Sequence, residues 1–475
     1  MPDCFTIDYD SRSVGDGKTY DQLTRIAKEP GRYLFAVDRR DIMIEREMKL
    51  SEIAKLVGAN ITVILIHTPI GDGPGQSGNV RTNIEALPGT YQSGHLVAFI
   101  THAGLQSADH RTFNDWHLII DETPSIFDRA TLRTTVSRDL VGSLFDLEPY
   151  GEFSKIIPNA KFSTRVVSGD SLAGPLGTLH ARVTGGRCLV LTHLRDWKDL
   201  DRNSRWTWWS LWSFAGLAAF KSVIILAAGF DKSLTFELCR SRHPEISWRQ
   251  MGSAPPRPSR ERTLTVRYFA EAHRATRNLF GSKVGEGYIA VIAGYLEKQP
   301  ADRIWTCNLD EKGAMQRRLT HGYLTPRQAG SNSWAHIDHA AIIYTSKPDL
   351  YERRLLTSLD VDPACVIETR ERDTIYQFVG RTSLRDRQSN RDVTVHVYDK
   401  QQAEAVARSF GMDPCLTVRL ELVDLGFAHK VHGRSETSNL TEEQKADRKR
   451  ELARLRKQKE RAARKDLCTE PPVDI

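Results

Sequence analysis

The chain has 475 residues, of which 40% are hydrophobic and 27% charged, and its mean hydropathy is −0.43. This length is too great for one compact core and suits two or three domains of roughly 150 residues each. The composition is that of an ordinary soluble protein, and the opening residues lack the basic and apolar regions of a signal peptide, so secretion is not expected. The seven cysteines lie singly, without a C-x-x-C pair or a histidine at zinc spacing, which predicts reduced thiols in the cytoplasm.

The net charge of +7 is concentrated near the C-terminus. Between Lys445 and Lys465, eleven lysines and arginines stand against three acidic residues, a balance of +8 that leaves −1 for the rest of the chain. Thr441 and Gln444 form a capping-box pattern, which predicts the start of a helix. A helix with almost no large apolar residue cannot bury a face alone. We expect this tail either to be solvated and partly disordered or to lie on an anionic partner.

The first half of the sequence alternates short apolar runs with amphipathic segments. Runs that are apolar throughout predict strands of a parallel sheet that is covered on both faces. The predicted strands of this half are 33–38, 61–67, 95–103, 116–121, 187–194 and 222–230. Residues 206–230 carry a single charge, Lys221, near the middle of the run, where it opposes a membrane span. We therefore expect a tryptophan-rich helix before the strand at 222–230, and no membrane span.

A second series of strands follows the proline-rich, basic segment 251–262, which is typical of a linker. The predicted strands of this half are 288–296, 340–346 and 393–399. The sequence therefore predicts two α/β lobes joined by a linker.

Segment 11–20 contains a glycine-rich motif that is typical of a phosphate-binding loop. Gly15, Asp16, Gly17, Lys18 and Thr19 form the G-x-G-K-T part of the motif. Glycines let backbone N–H groups turn inward around phosphate oxygens, the lysine reaches the β and γ phosphates, and the threonine hydroxyl ligates Mg²⁺. An arginine holds the first position of the longer G-x-x-x-x-G-K-T pattern, so a plain polar turn is the alternative.

About one hundred residues later, the predicted strand 116–121 ends in an acidic pair, Asp121 and Glu122. The carboxyl end of a parallel strand faces the crevice in which ligands bind. Asp121 is therefore expected to hold Mg²⁺, and Glu122 to orient and deprotonate water. The alternative is that these two residues only form a solvated strand end. The phosphate-binding loop upstream argues against this alternative.

In the second half, Gln377, Gly380, Arg381 and Arg385 form the pattern Q-x-x-G-R-x-x-x-R. On a helix, arginines four residues apart share a face, so both guanidinium groups are expected to enter one cleft and neutralise charge on a γ phosphate. The surrounding residues are also charged, and a basic solvated helix is the alternative.

Taken together, these three stretches resemble the motifs of superfamily 2 helicases. In that family the glycine-rich loop is motif I, a D-E-x-x sequence is motif II, and Q-x-x-G-R-x-x-R is motif VI. Here they fall in the same order on 15–19, 121–124 and 377–385. The resemblance implies an α/β fold with two RecA-like parallel-sheet lobes, with ATP and Mg²⁺ bound in the cleft between them.

Weaker blocks fit the same scheme. Segment 33–46 stands where motif Ia belongs, 99–105 resembles motif Ib, 226–230 resembles motif III, and 328–334 resembles the G-x-N motif V. The resemblance assigns catalysis to Glu122, Gln377, Arg381 and Arg385, metal binding to Thr19 and Asp121, and nucleotide binding to residues 15–19, Gly330 and Asn332.

Three departures from the family pattern affect these assignments. Leu384 stands where motif VI usually has its second arginine and Arg385 comes one residue late, which leaves open which arginine is the finger. Motif III at 226–230 has alanine in place of the hydroxyls. The span from motif II to motif III is far longer than a strand-loop-strand unit needs, which predicts an insertion at about 130–205.

Four tryptophans follow this insertion, at 206, 208, 209 and 212. Such rings can stack on nucleic-acid bases. We favour core packing instead, because the segment leads directly into a predicted buried strand.

The predicted organisation is lobe 1 at 1–250, a linker at 251–262, lobe 2 at 263–425 and a basic tail at 426–475. The resemblance implies an ATP-dependent helicase or translocase acting on nucleic acid, with DNA favoured over RNA. The alternative is a nucleic-acid-binding or packaging-type factor that uses ATP as a clamp, which the insertion and the altered motif III favour. The sequence indicates neither protein partners nor an oligomeric state.

Deleting residues 440–475 should weaken DNA binding at low salt and flatten its salt dependence, because a basic segment that neutralises Z phosphates contributes a slope of about −0.9Z. Intrinsic ATP hydrolysis should persist, since motifs I, II and VI remain. Titrating duplex DNA at several salt concentrations measures the slope of log K against log salt. An unchanged slope would show that the tail only solubilises the chain or docks another protein.

Overall fold

The computed structural model describes residues 5–67, 79–132, 138–159, 174–198, 200, 205–252, 259–326 and 333–427. The predicted basic tail beyond residue 427 and the predicted motif V residues Gly330 and Asn332 lie outside these ranges. The described residues form two parallel sheets and one antiparallel sheet.

The first lobe contains a seven-stranded parallel sheet. Its strands are β1 (Phe5–Asp10), β2 (Arg32–Val37), β3 (Thr62–Leu65), β4 (Leu96–Thr101), β5 (Trp116–Asp121), β11 (Ser222–Leu226) and β12 (Ile246–Gln250). Their order is β12-β1-β11-β5-β2-β4-β3, and each neighbouring pair is parallel. Because parallel strands share one carboxyl edge, the ends of β1, β5 and β11 lie side by side.

Helices connect these strands and cover the sheet on both faces, as a parallel sheet requires. The helices of this lobe are Lys18–Lys28, Arg40–Val57, Val80–Thr90, His102–Ser107 and Leu234–Arg242, with 3₁₀ segments at Phe214–Ala219 and Phe230–Lys232. Residues of β2, β4 and β5 are almost fully buried between the helical layers.

An antiparallel sheet is inserted between β5 and β11. Its strands are β6 (Phe127–Leu132), β7 (Phe145–Tyr150), β8 (Phe153–Pro158), β9 (Cys188–His193) and β10 (Trp206–Trp212), in the order β6-β10-β9-β8-β7. The helices Arg138–Leu144, Gly174–Thr184 and Leu194–Lys198 accompany it. The predicted strand 187–194 therefore exists, but it belongs to this sheet and not to the parallel sheet of the first lobe.

The tryptophan-rich segment is strand β10, so the prediction of a helix there was wrong. Trp206 and Trp208 pack on one face of β10, in the core of the insertion. Trp209 packs on the other face, in the core of the first lobe. A strand buried on both faces lacks the polar alternation that identifies half-buried strands, which explains the error. The four tryptophans are at most 4% exposed, as expected for core packing and not for a base-stacking surface.

The second lobe contains a five-stranded parallel sheet. Its strands are β13 (Arg262–Ala270), β14 (Ile304–Cys307), β15 (His339–Ile343), β16 (Val393–Asp399) and β17 (Leu416–Leu422), in the order β14-β15-β16-β13-β17. Its helices are Arg277–Phe280, Lys283–Glu297, Leu309–Gln316, Leu350–Ser358, Ala364–Val366, Asp373–Val379 and Lys400–Phe410, with a π-helical segment at Ile367–Arg372 and a 3₁₀ turn at Ser383–Arg385.

The predicted strand 288–296 is part of the helix Lys283–Glu297, so that prediction was also wrong. The buried residues Ile289, Ile292, Ala293 and Leu296 recur with helical spacing. The Ser282 hydroxyl caps the helix by accepting a hydrogen bond from the Gly285 N–H, at 3.1 Å. The segment is apolar and aromatic enough to resemble a strand. Its helical spacing identifies it as a helix only when it is considered together with the cap and with the residues that are buried.

The inserted sheet contacts the second lobe as well as the first. Arg129 on β6 forms an ion pair with Asp349 at 2.5 Å. The rings of His193 and Tyr351 meet edge to face, with centroids 5.3 Å apart. The insertion therefore touches both lobes on the side of the molecule where motif II leads into β6.

Two parallel sheets layered with helices define a mixed α/β fold consistent with two RecA-like domains. Within the described residues, no helix is both long enough and apolar enough to cross a membrane.

Candidate active site

The loop after β1 has the backbone conformation that its glycines predict. Gly15 and Gly17 have φ angles of 86° and 81°, in the left-handed region that residues with a Cβ rarely adopt. Gly17 caps the helix that begins at Lys18, so the unpaired N–H groups of its first turn face the carboxyl edge of the sheet.

Lys18 folds back under this loop. Its Nζ donates hydrogen bonds to the carbonyl oxygens of Arg12 at 2.8 Å and Ser13 at 3.0 Å. Desolvation lowers the pKa of the Lys18 ammonium, an effect that the nearby carboxylates, chiefly Glu122, oppose. A negatively charged phosphate beside this ammonium would favour its charged form in the same way.

Arg12 occupies the position at which the longer loop pattern departs from a small residue. Its guanidinium pairs with Asp10 at 2.7 Å and with Asp21 at 2.9 Å. These carboxylates hold the side chain on the flank of the loop, so the arginine is accommodated without filling the turn.

The carboxylate of Asp121 lies at the end of β5 and is engaged through both oxygens. Thr19 donates its hydroxyl to Oδ1 at 2.8 Å, and Arg46 donates its Nε to Oδ2 at 2.9 Å. The two residues that the sequence assigns to metal binding, Thr19 and Asp121, are therefore in direct contact.

Glu122 has a φ angle of 71°, which is uncommon for a residue other than glycine. Its N–H donates to the carbonyl oxygen of Leu226 on β11 at 3.0 Å, which helps to hold this strained conformation. Desolvation and the adjacent Asp121 raise the pKa of the Glu122 carboxyl, while Lys18 and Arg46 oppose the shift.

The two arginines of the predicted motif VI do not share a helix, so the expectation of a common helical face was wrong. The helix Asp373–Val379 ends at Gly380, and Arg385 belongs to the separate 3₁₀ turn Ser383–Arg385. The guanidinium of Arg262, at the start of β13, donates to the carbonyl oxygens of Ser383 at 2.7 Å and Leu384 at 2.9 Å. This anchoring places the Leu384 side chain in the core of the second lobe and Arg385 at the cleft.

Arg381 is 1% exposed and lies behind Arg385. Its Nε and Nη1 atoms have no hydrogen-bond partner within the described part of the chain. Desolvation, together with repulsion from Arg385 and Arg39, lowers the pKa of the Arg381 guanidinium to about 10, and Glu122 opposes the shift. A buried cation with unpaired donors fits an anion in this cleft.

The loop and the strand ends open into a cavity of about 530 Å³ between the lobes. Its lining combines the predicted loop, the acidic pair and an arginine of the second lobe: Gly15, Gly17, Lys18, Thr19, Asp121, Glu122 and Arg385. The structure thus brings together residues that are up to 370 positions apart in the sequence.

Gln377 lies on the other side of Glu122, where both residues line a second cavity of about 190 Å³. The Gln377 amide donates a hydrogen bond to Asp373, one turn earlier on the same helix. Desolvation and the neighbouring Glu122 raise the pKa of the Asp373 carboxyl to about 7, against the opposing effect of Gln377.

The second lobe also holds the loop directly. The Val14 N–H donates to the Tyr376 hydroxyl at 3.0 Å. The carboxylate of Asp16, which the resemblance assigns to nucleotide binding, forms an ion pair with Arg387. These contacts join the second lobe to the loop without involving the Lys18 ammonium.

The weaker motifs occupy the same edge of the first sheet. In the predicted motif Ib, the ring Nε2 of His102 lies 3.1 Å from the carbonyl oxygen of Asp121. In the predicted motif III, the Ala227 N–H donates to the carbonyl oxygen of Asp10 at 3.1 Å. The predicted motif III thus contacts the end of β1, which precedes motif I, and motif II through the backbone.

Four residues near the site were not assigned to it from the sequence: Arg46, Asp373, Tyr376 and Arg387. Asp373 lies four residues before Gln377, so helical spacing alone could have indicated their contact. The roles of Arg46, Tyr376 and Arg387 depend on contacts between distant elements, for which the sequence carries no signal.

No cluster of three or more His, Cys, Asp or Glu side chains that could hold a metal ion occurs among the described residues. Thr19 and Asp121 nevertheless fit Mg²⁺, because this cation is often bound by one or two protein oxygens together with phosphate oxygens and water.

A glycine-rich loop, an acidic strand end and an arginine from a second parallel-sheet lobe meet in one cleft of a mixed α/β fold that is consistent with two RecA-like domains. No family model and no curated protein sequence matches the chain.

Several solved structures are similar over most of the chain. The structure of Xpd4 from S. tokodaii matches with a TM-score of 0.48 and 12% identity, covering 88% of this chain and 96% of that one. Dbp5 from S. cerevisiae, bound to RNA and ADP BeF3, matches with a TM-score of 0.33 and 10% identity, covering 88% and 86%. The DUF1998 helicase MrfA, bound to DNA and AMPPNP, matches with a TM-score of 0.33 and 12% identity, covering 88% and 50%. Similarities this distant do not assign a function.

Replacing Asp373 with asparagine should stabilise the protein in a pH-dependent way. The pKa of this carboxyl is about 7 in the folded chain against an ordinary value of 3.8. The folded state therefore binds the proton more tightly than the unfolded state, and the wild type loses stability as the pH rises from about 4 to about 7. Asp373→Asn should have a Tm about 2 °C or more above the wild type at pH 8, and the gain should vanish near pH 4.

Scanning calorimetry across this pH range measures the effect. Asp310→Asn, at an exposed position of the same lobe, is the matched control and should show no such trend. A Tm difference for Asp373→Asn that is equal at all pH values would contradict the assigned cause.

Proposed function

We propose that this chain is an ATP-dependent helicase or translocase that hydrolyses ATP between its lobes while bound to nucleic acid, with DNA preferred over RNA. The observation that carries the proposal is the common lining of the cavity of about 530 Å³. Lys18 and Thr19 come from the loop, Asp121 and Glu122 from the strand end, and Arg385 from the second lobe. Together these groups have the chemistry that phosphoryl transfer to water requires.

Binding begins at the loop. The N–H groups of the first helical turn and the Lys18 ammonium are donors for the β and γ phosphates. Lys18 would exchange its hydrogen bonds to the Arg12 and Ser13 carbonyl oxygens for bonds to phosphate oxygens, which are stronger because both partners are charged. In this proposal Gly330 and Asn332 of motif V complete the nucleotide contacts from the second lobe.

Thr19 and Asp121 are the residues that would hold Mg²⁺, which neutralises negative charge on the phosphates when it is bound. Their present hydrogen bond of 2.8 Å brings the two oxygens close enough to share one cation.

Glu122 is the proposed base for the attacking water. Its raised pKa makes the ionised carboxylate more basic than an exposed glutamate, and its position beside Asp121 puts it at the phosphate end of the cavity. Gln377, on the far side of Glu122, is placed to help orient the water through the second cavity.

Arg385 is the proposed arginine finger, because it lines the cavity and Leu384 is turned into the core. Arg381 supports it from behind and adds positive charge that the described residues do not pair. Neutralisation of the transition-state charge would then depend on the second lobe, so hydrolysis would be linked to closure of the cleft.

Closure of the two lobes would act directly on the phosphate-binding loop. Tyr376 and Arg387 contact Val14 and Asp16, so movement of the second lobe would change the loop as well as the position of the arginines. Cycles of closing and reopening against a bound strand would produce translocation.

A second candidate function is a clamp that binds nucleic acid with ATP but unwinds it little. Motif III, at Leu226–Phe230, favours it, because alanines replace the hydroxyl side chains and its contacts to the end of β1 and to motif II run through backbone atoms. Measuring ATP hydrolysis with single-stranded DNA, RNA or neither, alongside strand separation, distinguishes the two. Stimulation of ATP hydrolysis by nucleic acid without strand separation supports the clamp. Absence of any ATP hydrolysis rejects the proposal that the chain is an ATP-hydrolysing enzyme.

Lys18→Ala and Glu122→Gln should each abolish ATP turnover while the protein stays folded. The first change removes the cation beside the phosphates, and the second removes the base. Steady-state hydrolysis with circular dichroism measures both activity and folding. Lys28→Ala, at the exposed end of the helix that begins with Lys18, is the control and should behave as the wild type. Nearly normal hydrolysis in either folded variant would reject the role of that residue.

Arg381→Ala and Arg385→Ala should each lower kcat by on the order of a thousandfold, with a smaller effect on nucleotide affinity, because both arginines act mainly on transition-state charge. Single-turnover hydrolysis and binding of a fluorescent ATP analogue separate the two effects. Arg408→Ala, on an exposed position of the second lobe, is the control. If neither site variant slows hydrolysis, the second lobe does not complete the site.

A further inference from the structure

Arg46 reaches the acidic pair from the helix Arg40–Val57, whose first turns belong to the segment 33–46 that stands where motif Ia is expected. Its Nε donates to Asp121 Oδ2 at 2.9 Å, and its Nη1 lies 3.2 Å from Glu45 Oε1. The Arg46 and Asp121 side chains are 12% and 4% exposed. The ion pair is therefore largely shielded from water. At such a buried position, leaving either charge without its partner would destabilise the protein.

The same arginine lines the cavity of about 530 Å³ together with Arg385. Thr19 takes one oxygen of the Asp121 carboxylate and Arg46 takes the other. A divalent cation bound at Thr19 and Asp121 would lie a few ångströms from the Arg46 guanidinium. The two positive groups would repel each other and compete for the same carboxylate.

We propose that Arg46 is the resident counter-ion of Asp121, a positioning residue that neutralises and orients this carboxylate until a divalent cation replaces it. The role rests on the proposed function, since the cation arrives with the nucleotide.

The exchange has a consequence for the order of binding. Without nucleotide, Arg46 balances the charge of Asp121 and opposes a free cation. A nucleotide brings several negative charges into the cavity, which compensate both the cation and the guanidinium. Arg46 thus makes metal binding dependent on the nucleotide and keeps the site from filling with metal alone.

Titration of Mn²⁺, followed by electron paramagnetic resonance, tests the proposal on the full chain without nucleotide. Arg46→Gln removes the positive charge and should bind Mn²⁺ about tenfold more tightly than the wild type. Arg46→Lys keeps the charge and should stay within about threefold of the wild-type affinity. When Mg²⁺ is titrated at saturating ATP, Arg46→Gln should lower both kcat and the Mg²⁺ concentration at half-maximal rate, because Asp121 loses its orientation while the repulsion disappears.

Arg111→Gln is the charge-matched control. Arg111 is exposed and pairs with Asp109 elsewhere on the first lobe, so its loss should leave Mn²⁺ affinity unchanged. If Arg46→Gln is too unstable to fold alone, Mn²⁺ should restore its thermal transition, because the cation replaces the missing counter-ion.

A folded Arg46→Gln variant with unchanged or weaker Mn²⁺ affinity overturns the proposal, and so does an unfolded variant that Mn²⁺ does not restore. Failure of the proposed function gives a different result. In that case the wild type neither binds nor hydrolyses ATP, whatever its Mn²⁺ affinity.

Discussion

Two adjacent carboxylates, Asp121 and Glu122, lie at the end of a strand in the middle of a parallel sheet, and the site is built to compensate their charge. Asp121 is only 3% exposed, and a buried carboxylate requires a positive partner or a proton. Lys18 comes from the loop, Arg46 from a neighbouring helix and Arg385 from the second lobe. Three separate elements must therefore converge on one strand end, and their convergence defines the cleft.

Burial raises the pKa of the Glu122 and Asp373 carboxyls more than the neighbouring groups lower it. Among the residues that the structure describes, Arg381 Nε and Nη1 have no partner, which is the complementary imbalance on the side of the second lobe. A nucleotide with a divalent cation carries both signs of charge and would satisfy both sides at once. This electrostatic imbalance supports the phosphoryl transfer that we propose for the cleft.

The insertion connects the cleft to the third sheet of the chain. It leaves the first lobe immediately after motif II and returns immediately before β11, whose end carries motif III. It also reaches the second lobe through Arg129 and Asp349. A displacement of Asp121 or Glu122 is therefore carried along a short stretch of chain to a sheet that contacts both lobes. For this reason we expect nucleotide binding to change the position of the insertion.

The sequence by itself determined the elements whose signal is local. The loop glycines, the strand that ends in Asp121 and Glu122, and the alternation of strands and helices in the first lobe follow from backbone preference, hydropathy and chain order. Failures occurred where local signals conflict with burial: β10 is buried on both faces and resembled a helix, the apolar helix Lys283–Glu297 resembled a strand, and β1 was missed because Asp8 and Asp10 interrupt its apolar run.

Only the tertiary structure decided which charges meet. Arg385 faces the cavity and Leu384 the core because Arg262, more than a hundred residues away, holds the turn between them. Arg46 acquires its contact because the helix Arg40–Val57 packs on β2 and β4, beside the end of β5. Tyr376 and Arg387 acquire theirs from the approach of the second lobe to the loop. Interactions between distant segments depend on how whole elements pack, and residue type and spacing along the chain carry no record of that packing.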